Sequence, residues 1–97
     1  MAVQIKWTAN SGEDYRKIID YLIEECSVPI AEKFIEIVES RLETLSHYPY
    51  LGLSSAKEQS IKSISFSNHN WLYYRITSTA LEILNIFDTR QNPDDRS

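Results

Sequence analysis

Between Glu13 and Ser46 apolar residues recur at helical spacing, and the pattern is broken once, at Ser27-Val28-Pro29. Serine offers a capping oxygen, and proline is tolerated in a first helical turn, where its missing N–H costs nothing. Two helices joined by so short a break fold back on each other as an antiparallel hairpin. Tyr15, Ile18, Ile19, Leu22 and Cys26 form the apolar stripe of the first helix. Ala31, Phe34, Ile35, Val38, Leu42 and Leu45 form that of the second, which is expected to run to about Ser46. Asn10 or Ser11 is the expected cap of the first helix, with Glu13 and Asp14 near the positive end of its dipole and Glu13 spaced to pair with Lys17.

The flanks change period. Val3, Ile5 and Trp7 alternate with Gln4 and Lys6, predicting a strand over residues 2 to 8. Pro49 and Gly52 end the second helix, and residues 50 to 60 read as a loop. Ile64 and Phe66, then Leu72, Tyr74 and Ile76, alternate with polar or amphipathic neighbours, and Leu81 to Phe87 is apolar on both faces. With short turns near Ser67 to Asn70 and Ser78 to Ala80, these make a three-stranded antiparallel meander. The order is βααβββ, an α+β fold in one domain over residues 1 to 97, with Gln91 to Ser97 as a weakly structured tail. Leu22, Phe34, Val38, Leu42, Leu72, Tyr74 and Ile76 are the expected core between hairpin and sheet. A chain of this size buries about 60–65% of its unfolded surface, too little to enclose a large substrate cavity.

Charge excludes further classes. Residues 10 to 47 hold nine acids and four bases, whereas residues 48 to 97 hold five of each. A net charge of −4 argues against a protein that coats nucleic acid, so any polyanion contact falls on the meander, at Lys62, Arg75 and Arg90. One cysteine forms no internal disulfide, and neither a signal-peptide apolar region nor a membrane-length apolar run occurs; a cytoplasmic location with no membrane contact is expected. Cys26 with His47 or His69 is a conceivable thiolate and base, but its place on an apolar stripe reads more simply as a small buried hydrophobe. Two histidines and one cysteine match no zinc spacing, so neither metal nor cofactor is expected. Glu32, Glu36, Glu39 and Glu43 form an acidic stripe, read as a solvated face or as a docking surface for a basic segment. Trp71, Tyr73 and Arg75 share one strand face with Arg90 following, an arrangement that either stacks bases and holds phosphates or packs under a loop or partner.

The element order and three strings resemble the ParE/RelE superfamily of bacterial type II toxins. The strings are IKWTANSGEDYRKIIDYL (Ile5 to Leu22), LETLSHYPYLG (Leu42 to Gly52), and LYYRI with ILNIFDTRQNP (Leu72 to Ile76, Ile83 to Pro93). The resemblance covers nearly the whole chain and implies a helical hairpin on a mostly antiparallel sheet. It also implies a cognate antitoxin as partner and one of two activities, or else a non-toxic remnant that only binds the antitoxin. The RelE-like branch cleaves messenger RNA on the ribosome with sheet cations and a C-terminal Tyr, or a Glu and His. On this chain Trp71 stands where that branch has an Arg, Tyr74 matches its strand Tyr, Arg90 matches the Arg after the last strand, and the downstream Tyr is absent. A ribonuclease would have to use Lys62, His69 and Arg90. The ParE-like branch inhibits DNA gyrase by binding, and the ending FDTRQNP with low basicity is closer to it; Trp71, Tyr73, Arg75 and Arg90 would then contact the target.

Tyr21 and Ile37 lie about 120° from the core stripe of their helices and Ile30 about 100° away. As apolar residues off the buried face, they are the expected antitoxin-binding surface.

Overall fold

The computed structural model describes residues 2–54, 60–67 and 69–89. Arg90 and the tail 91–97 lie outside the described residues. The order is β1 (Gln4–Trp7), α1 (Ala9–Glu25), α2 (Val28–His47), β2 (Leu53–Ser54), β3 (Ile61–Ser65), β4 (Asn70–Ile76) and β5 (Ala80–Asp88). One sheet in the order β1-β5-β4-β3-β2 carries the hairpin on one face. All neighbours are antiparallel except β1, which runs parallel to β5; the two helices carry the chain from β1 at one edge of the sheet to β2 at the other.

The α+β architecture, the hairpin and the meander are as the sequence predicts, with five local corrections. The segment 50 to 60, expected as loop, contains the two-residue strand β2, because Leu53 and Ser54 pair with Ser63 and Lys62. The first strand occupies residues 4–7, not 2–8. Thr8, not Asn10 or Ser11, caps α1: its hydroxyl accepts the Ser11 amide at 3.2 Å and donates to the Ile83 carbonyl at 2.7 Å. That double use ties the strand end to the helix start and moves Glu13 and Asp14 into the second turn, where Glu13 pairs with Arg16 instead of Lys17. Asp14 serves the sheet instead. β1 ends opposite Ile83, and beyond that point the Asp14 carboxylate accepts the edge amide of Ile86 at 3.3 Å. Cys26 is not buried; it is the exposed C-cap of α1, its amide bonded to the Leu22 carbonyl. Ser27 caps α2 and accepts the Ile30 amide at 3.3 Å, as its sequence position implies.

Ile18 and Leu22 of α1 and Ala31, Phe34, Val38 and Leu45 of α2 bury themselves on Phe66, Leu72, Tyr74, Leu81, Ile83 and Ile86. Each large aliphatic side chain so buried stabilises the fold by about 1.5–3 kcal/mol. Leu42 and Ile76, expected in this core, are partly buried at its margin. Leu42→Ala should therefore cost about 1–2 kcal/mol, below the range for a fully buried leucine. Urea unfolding measures it, and a loss matching that of Leu45→Ala would put Leu42 in the centre.

Candidate functional site

Directly opposed residues on neighbouring strands project to the same sheet face, so register decides which side chains meet. Trp71 opposes Phe87, and Arg75 opposes Glu82. The Trp71 and Phe87 rings lie 5.8 Å apart, Tyr73 meets Phe87 edge-on at 5.6 Å, and an Arg75 guanidinium nitrogen lies 2.7 Å from a Glu82 carboxylate oxygen. Trp71, Tyr73 and Arg75 do share the face away from the helices. They are partnered within the sheet, the aromatic pair by Phe87 and the cation by Glu82. The alternation of Leu81 to Phe87 leaves the face of Phe87 open, since it depends on the bulge between Tyr73 and Tyr74. Beside Trp71 lies an open groove of about 280 Å³ bounded by Leu51, Leu53, Ser63 and Ser65.

Lys62 is not part of this face. It opposes the buried Tyr74 and so projects to the helix side, where its Nζ donates to Ser54 Oγ at 3.2 Å and lies 5.6 Å from the Tyr50 ring centre. His69 is exposed in the β3–β4 turn; its carbonyl accepts the Thr89 amide at 2.8 Å and its Nδ1 lies 3.4 Å from Thr89 Oγ1. Beneath this corner Asn70 and Asp88, both buried, are joined side chain to side chain, and Ser67 Oγ donates to Asn70 Oδ1 at 2.8 Å. Cys26 and His47 stand at opposite ends of α2, whose twenty residues span about 30 Å. His47 instead contacts Glu43 at 3.3 Å. Among the described residues no cluster of three His, Cys, Asp or Glu side chains is arranged to hold a metal ion.

Tyr74, the residue matched to a strand tyrosine of the ribonuclease branch, is spent on architecture. Fully buried, it donates from its hydroxyl to the Pro49 carbonyl at 2.8 Å and accepts the Gly52 amide at 2.9 Å, pinning the chain that leaves α2. Burial pushes its phenol above the ordinary 10.0, opposed by the Gly52 N–H. Burial, reinforced by Glu39, raises Tyr15 as well. The folded state thus holds these protons more tightly than the unfolded chain, and stability present below pH 10 is lost as pH rises through the folded-state values. Urea unfolding across alkaline pH should show this loss, reduced in Tyr74→Phe; an unchanged slope would assign it to other groups.

Of the expected antitoxin residues, Tyr21 and Ile37 are half-buried against the core, and Ile30 is 43% exposed. Ile23 at 45% and Val28 at 52% are exposed at the same end of the hairpin, and neither lies on an apolar stripe that would have singled it out. An open groove of about 390 Å³ lies beside Ile30, lined also by Pro29, Lys33, Phe34 and Asn70. No helix among the described residues is long and apolar enough to cross a membrane.

This arrangement of strand, helical hairpin and antiparallel meander is a fold shared with solved bacterial toxins. It is similar to a chain of the chromosomal ParDE toxin-antitoxin system from P. aeruginosa (TM-score 0.74, 16% identity, 90% of this chain and 96% of that one). It is also similar to a chain of the RelBE2 toxin-antitoxin complex from Mycobacterium tuberculosis (0.63, 20%, 91% and 99%) and to the YoeB dimer from Staphylococcus aureus (0.64, 15%, 90% and 97%). No curated protein matches the sequence significantly. The family described as ParE toxin of type II toxin-antitoxin system, parDE, matches residues 5–93, and the chain belongs to it. It is a type II toxin of the ParE/RelE superfamily.

Proposed function

We propose that this toxin inhibits DNA gyrase by binding, and that a cognate antitoxin neutralises it in the cytoplasm, where gyrase works. The observation that carries the choice is register: Lys62 projects to the helix side of the sheet, while Trp71, Tyr73 and Arg75 project to the other. Phosphate-ester cleavage needs a base, an acid and cations converging on one phosphate. Here the strand lysine is turned away, Arg75 is neutralised by Glu82, and Tyr74 holds a loop. Inhibition by binding needs only a surface, and the Trp71–Phe87–Tyr73 cluster with Arg75 beside it supplies one. Arg90, which the resemblance adds, belongs to the same proposal.

One observation favours a ribosome-dependent ribonuclease as the second reading: His69 contacts Thr89, the residue before Arg90. Purified toxin is assayed for gyrase supercoiling and for transcript cleavage in a translating extract. The expected result is inhibited supercoiling at stoichiometric concentration, weakened by Arg90→Ala, with no cleavage. Cleavage abolished by His69→Ala would replace gyrase with the ribosome and its mRNA as target. Inactivity in both assays would leave a non-toxic, antitoxin-binding protein.

A further inference from the structure

The apolar end of the hairpin coincides with the chain's net charge. Ile23, Val28 and Ile30 are exposed there, next to the groove between the start of α2 and Asn70. Residues 20–36 hold five acids, Asp20, Glu24, Glu25, Glu32 and Glu36, against one base, Lys33, giving −4; the rest of the chain holds nine of each. All five acids are exposed, and none forms an ion pair among the described residues. Glu24 and Glu25 sit in the last turn of α1, which contains no base, so they face the negative end of the helix dipole. No ion pair among the described residues compensates that placement. A local rule broken without return inside the molecule is expected where a partner supplies the compensation.

We propose that this end of the hairpin docks a basic amphipathic protein segment. Its apolar residues cover Ile23, Val28 and Ile30 with one side chain in the groove, and its Lys or Arg residues lie over Glu24, Glu25 and Glu32. Charge selects this occupant: a second copy brings the same −4, a nucleic acid is a polyanion, and an acidic segment meets only Lys33. Resting on the functional reading above, the segment belongs to the antitoxin.

Two labelled synthetic helical peptides with one leucine pattern, one with lysine and one with glutamate at every polar position, test the surface by fluorescence anisotropy. The lysine peptide should bind the wild type and weaken with salt, while the glutamate peptide should not bind. Glu24→Gln/Glu25→Gln/Glu32→Gln, and separately Ile23→Ser/Ile30→Ser, should each weaken binding about tenfold. The triple variant should also melt at or above the wild-type temperature, because it relieves the dipole conflict. Equal affinity of the lysine peptide for wild type and triple variant, or equal binding of both peptides, overturns the proposal. The cognate antitoxin of the functional proposal separates the two readings. If it binds wild type and triple variant alike, the antitoxin stands and this surface falls. If it does not bind the wild type, the antitoxin reading falls, and the peptides alone decide the surface.

Discussion

Leu72→Ala is expected to lower the unfolding free energy by about 2–5 kcal/mol, whereas Arg75→Ala three residues along the same strand should cost no more than about 1 kcal/mol. Leu72 is fully buried, flanked on its face by Ile64 of β3 and Ile86 of β5, and close-packed surroundings collapse only partly around the missing atoms. Arg75 is exposed and gives up one surface ion pair with Glu82. Urea unfolding of both variants, with unchanged denaturant slope, measures the pair. The reverse order of losses would mean that the two faces of β4 have been exchanged, and with them the proposed target surface.

Gly52 is the second position where a small change should have a large effect. Its φ is not positive, so backbone freedom is not why glycine is needed. A Cβ there would lie 2.7 Å from the Ser63 carbonyl oxygen and 2.7 Å from the Tyr74 hydroxyl, and the first of these is backbone of a paired strand. Gly52→Ala is therefore expected to cost about 1–3 kcal/mol through forced displacement. Tyr74→Phe should cost about 1–3 kcal/mol for a different reason, leaving the Pro49 carbonyl and the Gly52 amide without their partner. The double variant should lose less than the sum, since removing the hydroxyl removes one of the two clashes. Strict additivity in chemical denaturation would show that Gly52 and Tyr74 do not form one latch.

Much of the site was unreadable for an identifiable reason. The sequence places Trp71, Tyr73 and Arg75 on one face, because residues two apart in a strand always share a face. It does not state which residues of another strand oppose them. Whether Lys62 joins Arg75 depends on the β3–β4 register, and a shift by one residue moves every side chain to the other face. Phe87 and Glu82 became the partners of Trp71, Tyr73 and Arg75 through the register of β4 on β5, including its bulge. Cys26 shows the same limit on a helix: the stripe pointed inward, but the helix ended there, and an end residue lies beyond the core it would have joined.

By itself the sequence determined the order of every element except the short β2, the helical hairpin, the Ser27 cap, most of the core and the family resemblance. Each rests on local spacing, whose periods of 3.6 and 2 are fixed by backbone geometry. Only the tertiary structure decided that β1 runs parallel beside β5, that Thr8 caps α1 by reaching Ile83, that Tyr74 latches the loop at Pro49 and Gly52, and that the strand cations part to opposite faces. Those are contacts between residues far apart in the chain. Their partners are chosen by register and close packing across the sheet, which spacing along one segment does not encode.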